Sequence, residues 1–123
     1  WQASIPLVGG ANALNVAGLD RFQQPVGGAT DTITVTFTGT PDQPQTRLAI
    51  SELMYHPLVP GASYLELHNS STTTAFDLTG WRLNGLDFTF PAGTVIRPGE
   101  YLLVVENLTV FATTYGHGIP VAG

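Results

Sequence analysis

An all-β fold, a two-layer sandwich, is predicted by three observations. Residues Asp31 to Thr40, DTITVTFTGT, alternate strictly. Ile33, Val35 and Phe37 fall on one side and Thr32, Thr34, Thr36 and Thr38 on the other, the pattern of a half-buried strand. Asn84-Gly85 stands between the run Trp81-Arg82-Leu83 and the run LDFTFP, and this dipeptide favours a tight type I′ hairpin turn. Tyr101 to Glu106, YLLVVE, is almost continuously apolar, as a strand covered on both faces is. Helical character is confined to one short stretch near 108–115, with Asn107 placed to cap it and Gly116 to end it.

The elements follow in chain order. ASIPLV and NALNVAGLD are two β-rich runs separated by Gly9-Gly10, a pair suited to a hairpin turn, so residues 1–40 predict three strands together with DTITVTFT. TPDQPQT holds two prolines that disfavour helix and central strand, and predicts an interdomain linker over 41–46. The strand signal resumes in RLAISELMY and continues, past a loop with Pro57, Pro60 and Gly61, in YLELHN. A Ser/Thr-rich loop from Ser70 to Thr74, the Asp77-to-Trp81 turn and the Pro98-Gly99 turn punctuate the rest.

Two resemblances rest on these residues. Trp1, Leu7, Gly10, Asn12, Leu14, Val16 and Asp20 stand in an order similar to the closing strands of bacterial immunoglobulin-like repeats. The chain departs from those repeats after Asp20, with Arg21-Phe22-Gln23-Gln24 where they carry a glycine. RLAISELMYHP, YLELHNSS, GWRLNGLDFTFPAGTVIRPGEYLLVV and VFATTYG, in that order over 47–122, resemble the lamin tail domain of nuclear lamins and of secreted bacterial proteins. That resemblance implies an immunoglobulin-like β-sandwich with Greek-key type connections and a buried tryptophan at Trp81. It also implies acidic positions at Glu52 and Glu66, and further strands beyond Gly123. The expected organisation is the end of an immunoglobulin-like domain over 1–40, a linker over 41–46, and a lamin-tail-like domain over 47–123 that is C-terminally incomplete, in a piece of a longer polypeptide.

Composition excludes several function classes. Nine acidic residues against four arginines and no lysine give a formal charge of -5, which disfavours a nucleic-acid partner. The absence of cysteine removes disulfides, thiolate catalysis and Cys-ligated zinc. No apolar run approaches the ~18 residues of a membrane span.

Candidate sites are few. Glu52 and Glu66, on neighbouring strands, are the residue types of an acid/base pair, but no nucleophile motif accompanies them. They are read instead as structural anchors together with Trp81 and Arg82, the carboxylates accepting backbone N–H bonds or pairing with an arginine such as Arg82. His56, His68 and His117 lack metal-ligand spacing, and His68 is read as packing like an aromatic. Asp20 and Asp31 lack a calcium loop around them. Tyr64, Glu66 and His68 share one strand face, a polar-aromatic row suited to a ligand or a subunit contact. Trp1, Tyr64, Trp81, Tyr101 and Tyr115 are the residue types of a sugar-stacking platform. Asn69-Ser70-Ser71 and Asn107-Leu108-Thr109 match the glycosylation sequon.

The expected function is non-enzymatic and needs no cofactor or metal: an extracellular or cell-surface bacterial module that scaffolds or assembles through sheet faces and edges. Its expected partners are other protein domains or identical subunits, without nucleic acid or membrane insertion. A filament subunit is an alternative, with the strand carrying Ile33, Val35 and Phe37 donated to a neighbour by β-augmentation. A carbohydrate-binding accessory domain using Trp1, Tyr64, Trp81 and Tyr101 is another.

Overall fold

The computed structural model describes residues 5–123, which divide at Pro41/Asp42 into two units. The first unit is an antiparallel ribbon of β1 (Gly10–Leu19) and β2 (Pro25–Phe37). Leu14 faces Ile33 and Asn12 faces Val35 across one side, while alanines and Asn15 face Thr30 to Thr36 on the other. Two of the three strands expected here are present. Residues 5–8 form no strand, and Trp1 and the rest of the first run lie outside the described residues.

Gly9-Gly10 therefore does not join two strands. The Asn12 amide makes bonds of 2.9 Å with the Val8 N–H, the Val8 carbonyl and the Gly10 carbonyl, and so leads the chain into β1. The hairpin turn lies at Asp20–Gln24 instead. Asp20 Oδ1 accepts from the Phe22 and Gln24 N–H groups at 2.7 and 2.9 Å. Gln23 takes the positive φ of 65° that glycine would otherwise supply.

The second unit opens with α1 (Pro44–Arg47), a helical turn beyond the single one expected. Its proline sits at the start, where a missing N–H is harmless. The expected linker is not free here: Asp42 accepts from the Ser71 hydroxyl at 2.7 Å and pairs with Arg47 at 3.2 Å. Next come β3 (Leu48–Met54), β4 (Tyr64–Asn69), β5 (Phe76–Asp77), β6 (Arg82–Leu83), β7 (Phe88–Thr89), β8 (Val95–Ile96), β9 (Tyr101–Val105) and α2 (Leu108–Tyr115). Asn107 caps α2 through the Val110 N–H, and Gly116 ends it at φ 105°, as the sequence implies.

The main sheet has the antiparallel order β3-β4-β9. Between the neighbours β4 and β9 the chain builds a second layer from β5, paired with β8, and the β6–β7 hairpin. Leu65, Leu67 and Val104 from the sheet meet Phe76, Leu78, Phe90 and Ile96 from the other layer, and these close the core. The far edge of β9 is paired in parallel by the terminal segment: Leu103 bridges Val121, and Val105 N–H donates to the Gly123 carbonyl at 2.8 Å.

Two local expectations are corrected. Asn84-Gly85 is part of a four-residue loop between Leu83 and Phe88, not a two-residue turn, with Gly85 and Asp87 at φ 100° and 52°. The carboxylate of Asp87 pairs with Arg82 across this longer loop. Trp81 is 44% exposed rather than buried. Its backbone is what anchors the hairpin, the N–H donating to the Leu78 carbonyl and the carbonyl accepting from Phe90 N–H.

Asn69, at the end of β4, is fully buried. Its Nδ2 reaches the carbonyls of Thr74, Ile96 and Arg97 at 2.8, 3.2 and 3.0 Å, and its Oδ1 accepts from Ser71 N–H at 3.0 Å. A glycan on this nitrogen is incompatible with the fold. Removing the amide leaves buried carbonyls and an N–H without partners, each costing about 1–3 kcal/mol. Asn69→Ala is therefore expected to lower the urea-unfolding free energy of the full chain by at least ~2 kcal/mol. A loss below about 0.5 kcal/mol, the range of an ordinary surface substitution, would contradict this assignment.

Candidate interaction surface

The face of β4 turned away from the core carries Tyr64, Glu66 and His68, the row expected from the sequence, and all are half-buried. The Tyr64 hydroxyl donates to Glu52 at 2.7 Å, and the Ser51 hydroxyl donates to Glu66 at 2.7 Å. Glu52 and Glu66 are direct partners across β3 and β4, a like-charge pairing relieved by these two hydroxyls and not by arginine. Arg82, expected near them, is engaged by Asp87. His68 packs as an aromatic: its ring stacks on Tyr101 at 4.2 Å and 14°.

α2 covers the other end of the row. Phe111 and Tyr115 meet the Tyr64 ring edge-on at 5.6 and 5.4 Å. The bond to Glu52, partial burial and the nearby carboxylates push the Tyr64 hydroxyl up to about 12. Trp81 and Tyr101 are both exposed, but Trp81 makes no ring contact among the described residues, so no aromatic platform extends from it. Among the described residues no three His, Asp or Glu side chains cluster as metal ligands would. Asp20 is committed to its turn, and Asp31 accepts from its neighbour Thr32 N–H.

An open sheet edge is expected from the sequence, but neither its position nor the cleft beside it is. The outer edge of β3 has no strand partner among the described residues, and its core-side residues Ile50 and Leu53 are 57% and 54% exposed. The core face is thus covered over β4 and β9 and at Leu48, and open over the rest of β3. An open cleft of about 520 Å³ lies at the far end of this strip. Leu65 and Val104 line it, with Leu53, Tyr55, Leu86 and Phe88, and Glu106 beside them. The bulge between Ile50 and Glu52 sets this arrangement by returning Leu53 to the core side after Ile50.

The family model described as Lamin Tail Domain matches residues 41–119. Neither a curated protein nor a solved structure matches the chain.

Tyr64 titrates above the ordinary tyrosine value of 10.0, so between pH 10 and 12 the unfolded chain loses this proton before the folded one does. Its contribution to stability is complete below pH 10 and is lost as pH rises toward 12. Absorbance titration of the four tyrosines should show one late phenol, absent in Tyr64→Phe. Tyr64→Phe should also flatten the fall in stability over that window, and an unchanged alkaline profile would refute the Tyr64–Glu52 bond.

Proposed function

Because the chain belongs to the lamin tail domain family, whose immunoglobulin-like domains are generally structural or interaction modules, we propose that it is a non-enzymatic scaffold that assembles through its sheet edge. The observation that carries this reading is the open side of β3, whose outer edge has no strand partner among the described residues and runs beside exposed Ile50 and Leu53. Such an edge accepts a further strand, with the ladder supplying affinity and the apolar strip supplying fit. Its setting in this reading is extracellular or at a bacterial cell surface, with other protein domains or identical subunits as partners.

The first unit favours the filament reading within this class. Val16 and Ile33 lie 43% and 57% exposed on its apolar side, and a two-stranded ribbon alone is marginal in water. Ile33, Val35 and Phe37 lie on β2, which already pairs with β1, so the donated element is the hairpin and not a lone strand. A neighbouring subunit supplies what both surfaces lack.

Size-exclusion chromatography with light scattering tests the edge. The wild-type chain is expected to elute as species larger than a monomer, and Ile50→Lys, an inward charge on an edge strand, to shift it toward smaller species with an unchanged circular dichroism spectrum. A monomeric wild type, or Ile50→Lys assembling as the wild type does, removes the β3 edge from the reading.

A further inference from the structure

We propose that the tip of the β1–β2 hairpin, Arg21-Phe22, docks into the cleft bounded by Leu53, Leu86, Phe88 and Glu106 on a second copy of the chain. This contact rests on the self-assembly reading above and names a second way in which copies meet: the cleft shares Leu53 with the β3 strip but receives a hairpin tip and not a paired strand.

The tip is built to present these two side chains. Asp20 fixes the turn through the Phe22 and Gln24 N–H groups, and Asp20 N–H donates to the Gln24 carbonyl at 2.8 Å. Phe22 stands 66% exposed at the apex, with the Arg21 guanidinium 4.6 Å from its ring centre. A turn fixed by its own hydrogen bonds and holding an aromatic beside an arginine loses little conformational freedom on binding, and both residue types are enriched at protein interfaces.

The cleft matches it in shape and charge. Its volume of about 520 Å³ falls within the range of roughly 300–1,000 Å³ typical of ligand sites. Its walls are mainly apolar, with Leu53, Leu65, Leu86, Phe88 and Val104 among them, and Glu106 is the one carboxylate that lines it. Among the described residues Arg47, Arg82 and Arg97 are each paired with a carboxylate, and Arg21 is not. Glu106 likewise makes no ion pair among them. The uncommitted cation thus lies beside the exposed aromatic, and an uncommitted carboxylate beside the apolar cleft. This complementarity selects a second copy as the occupant.

The contact is heterologous, since tip and cleft are different surfaces, so each copy offers one of each and the chain of contacts propagates. One aromatic anchor and one ion pair make a small interface, below the ~1,200 Å² of stable complexes, so assembly should depend steeply on concentration and weaken with salt.

Sedimentation velocity of the full chain up to roughly 1 mM, the weak end of specific association, tests this. The wild type should self-associate. Phe22→Ala, Arg21→Glu and Glu106→Arg should each weaken association about tenfold or more, the scale of a lost anchor. Arg21→Glu combined with Glu106→Arg should restore it, a result that a merely structural effect of either change would not give. Circular dichroism should remain unchanged, because Phe22 and Glu106 are exposed. Association that persists in Phe22→Ala overturns this contact and leaves the β3-edge reading standing. Failure of the double swap to restore association also overturns it. A wild type monomeric throughout overturns both.

Discussion

The second unit depends on one primary amide. Asn69 ends β4, and from that point its side chain ties the Ser71–Thr74 loop to the carbonyls of Ile96 in β8 and Arg97 after it, while its backbone carbonyl accepts from Gly99 N–H and its N–H donates to the Glu100 carbonyl. β5 and β8 are only two residues long and cannot hold themselves in place by ladder bonds. The amide does so by satisfying groups that would otherwise be buried without partners. Ser71 extends the network outward: its hydroxyl accepts from Thr73 and Thr74 and donates to Asp42, whose carboxyl is held below the usual range by that bond and by Arg47. A continuous polar path therefore runs from the start of the unit to the middle of its second layer.

This arrangement frees the sheet to serve another purpose. The core is closed over β4 and β9 by Phe76, Leu78, Phe90 and Ile96, and it is left open over β3, where Ile50 and Leu53 remain in water. Neither residue is needed to complete the core cluster. On the opposite face, Tyr64, Glu66 and His68 are already occupied by Glu52, Ser51 and Tyr101, so the polar-aromatic row is less available to a ligand than its sequence suggests.

The parts of the fold that were legible in the sequence follow from short-range rules. The alternation of β2, the apolar run of β9 and the Asn107–Gly116 limits of α2 each have local causes. The failures have physical reasons as well. Trp81 resembles a core residue by type and neighbours, but its backbone and not its indole is held. The Asn84-Gly85 turn widened to four residues, with the Arg82–Asp87 pair lying across it. Asn69 reads as a glycosylation site because the sequon carries no information about burial. Of the candidate site, the row on β4 followed from period-two alternation. The cleft, and which strand carries the open edge, could not be read, because they are defined by which surfaces remain uncovered once distant segments have paired.

The parallel pairing of Val121 to Gly123 along β9 gives this sheet a polarity of growth. Residues 121–123 run along the β9 margin, and among the described residues the β3 margin has no strand partner. Two copies joined β3 to β3 use the open β3 margin of each. Joining through that margin alone thus stops at pairs, and extended order in one dimension requires a contact made elsewhere on the molecule.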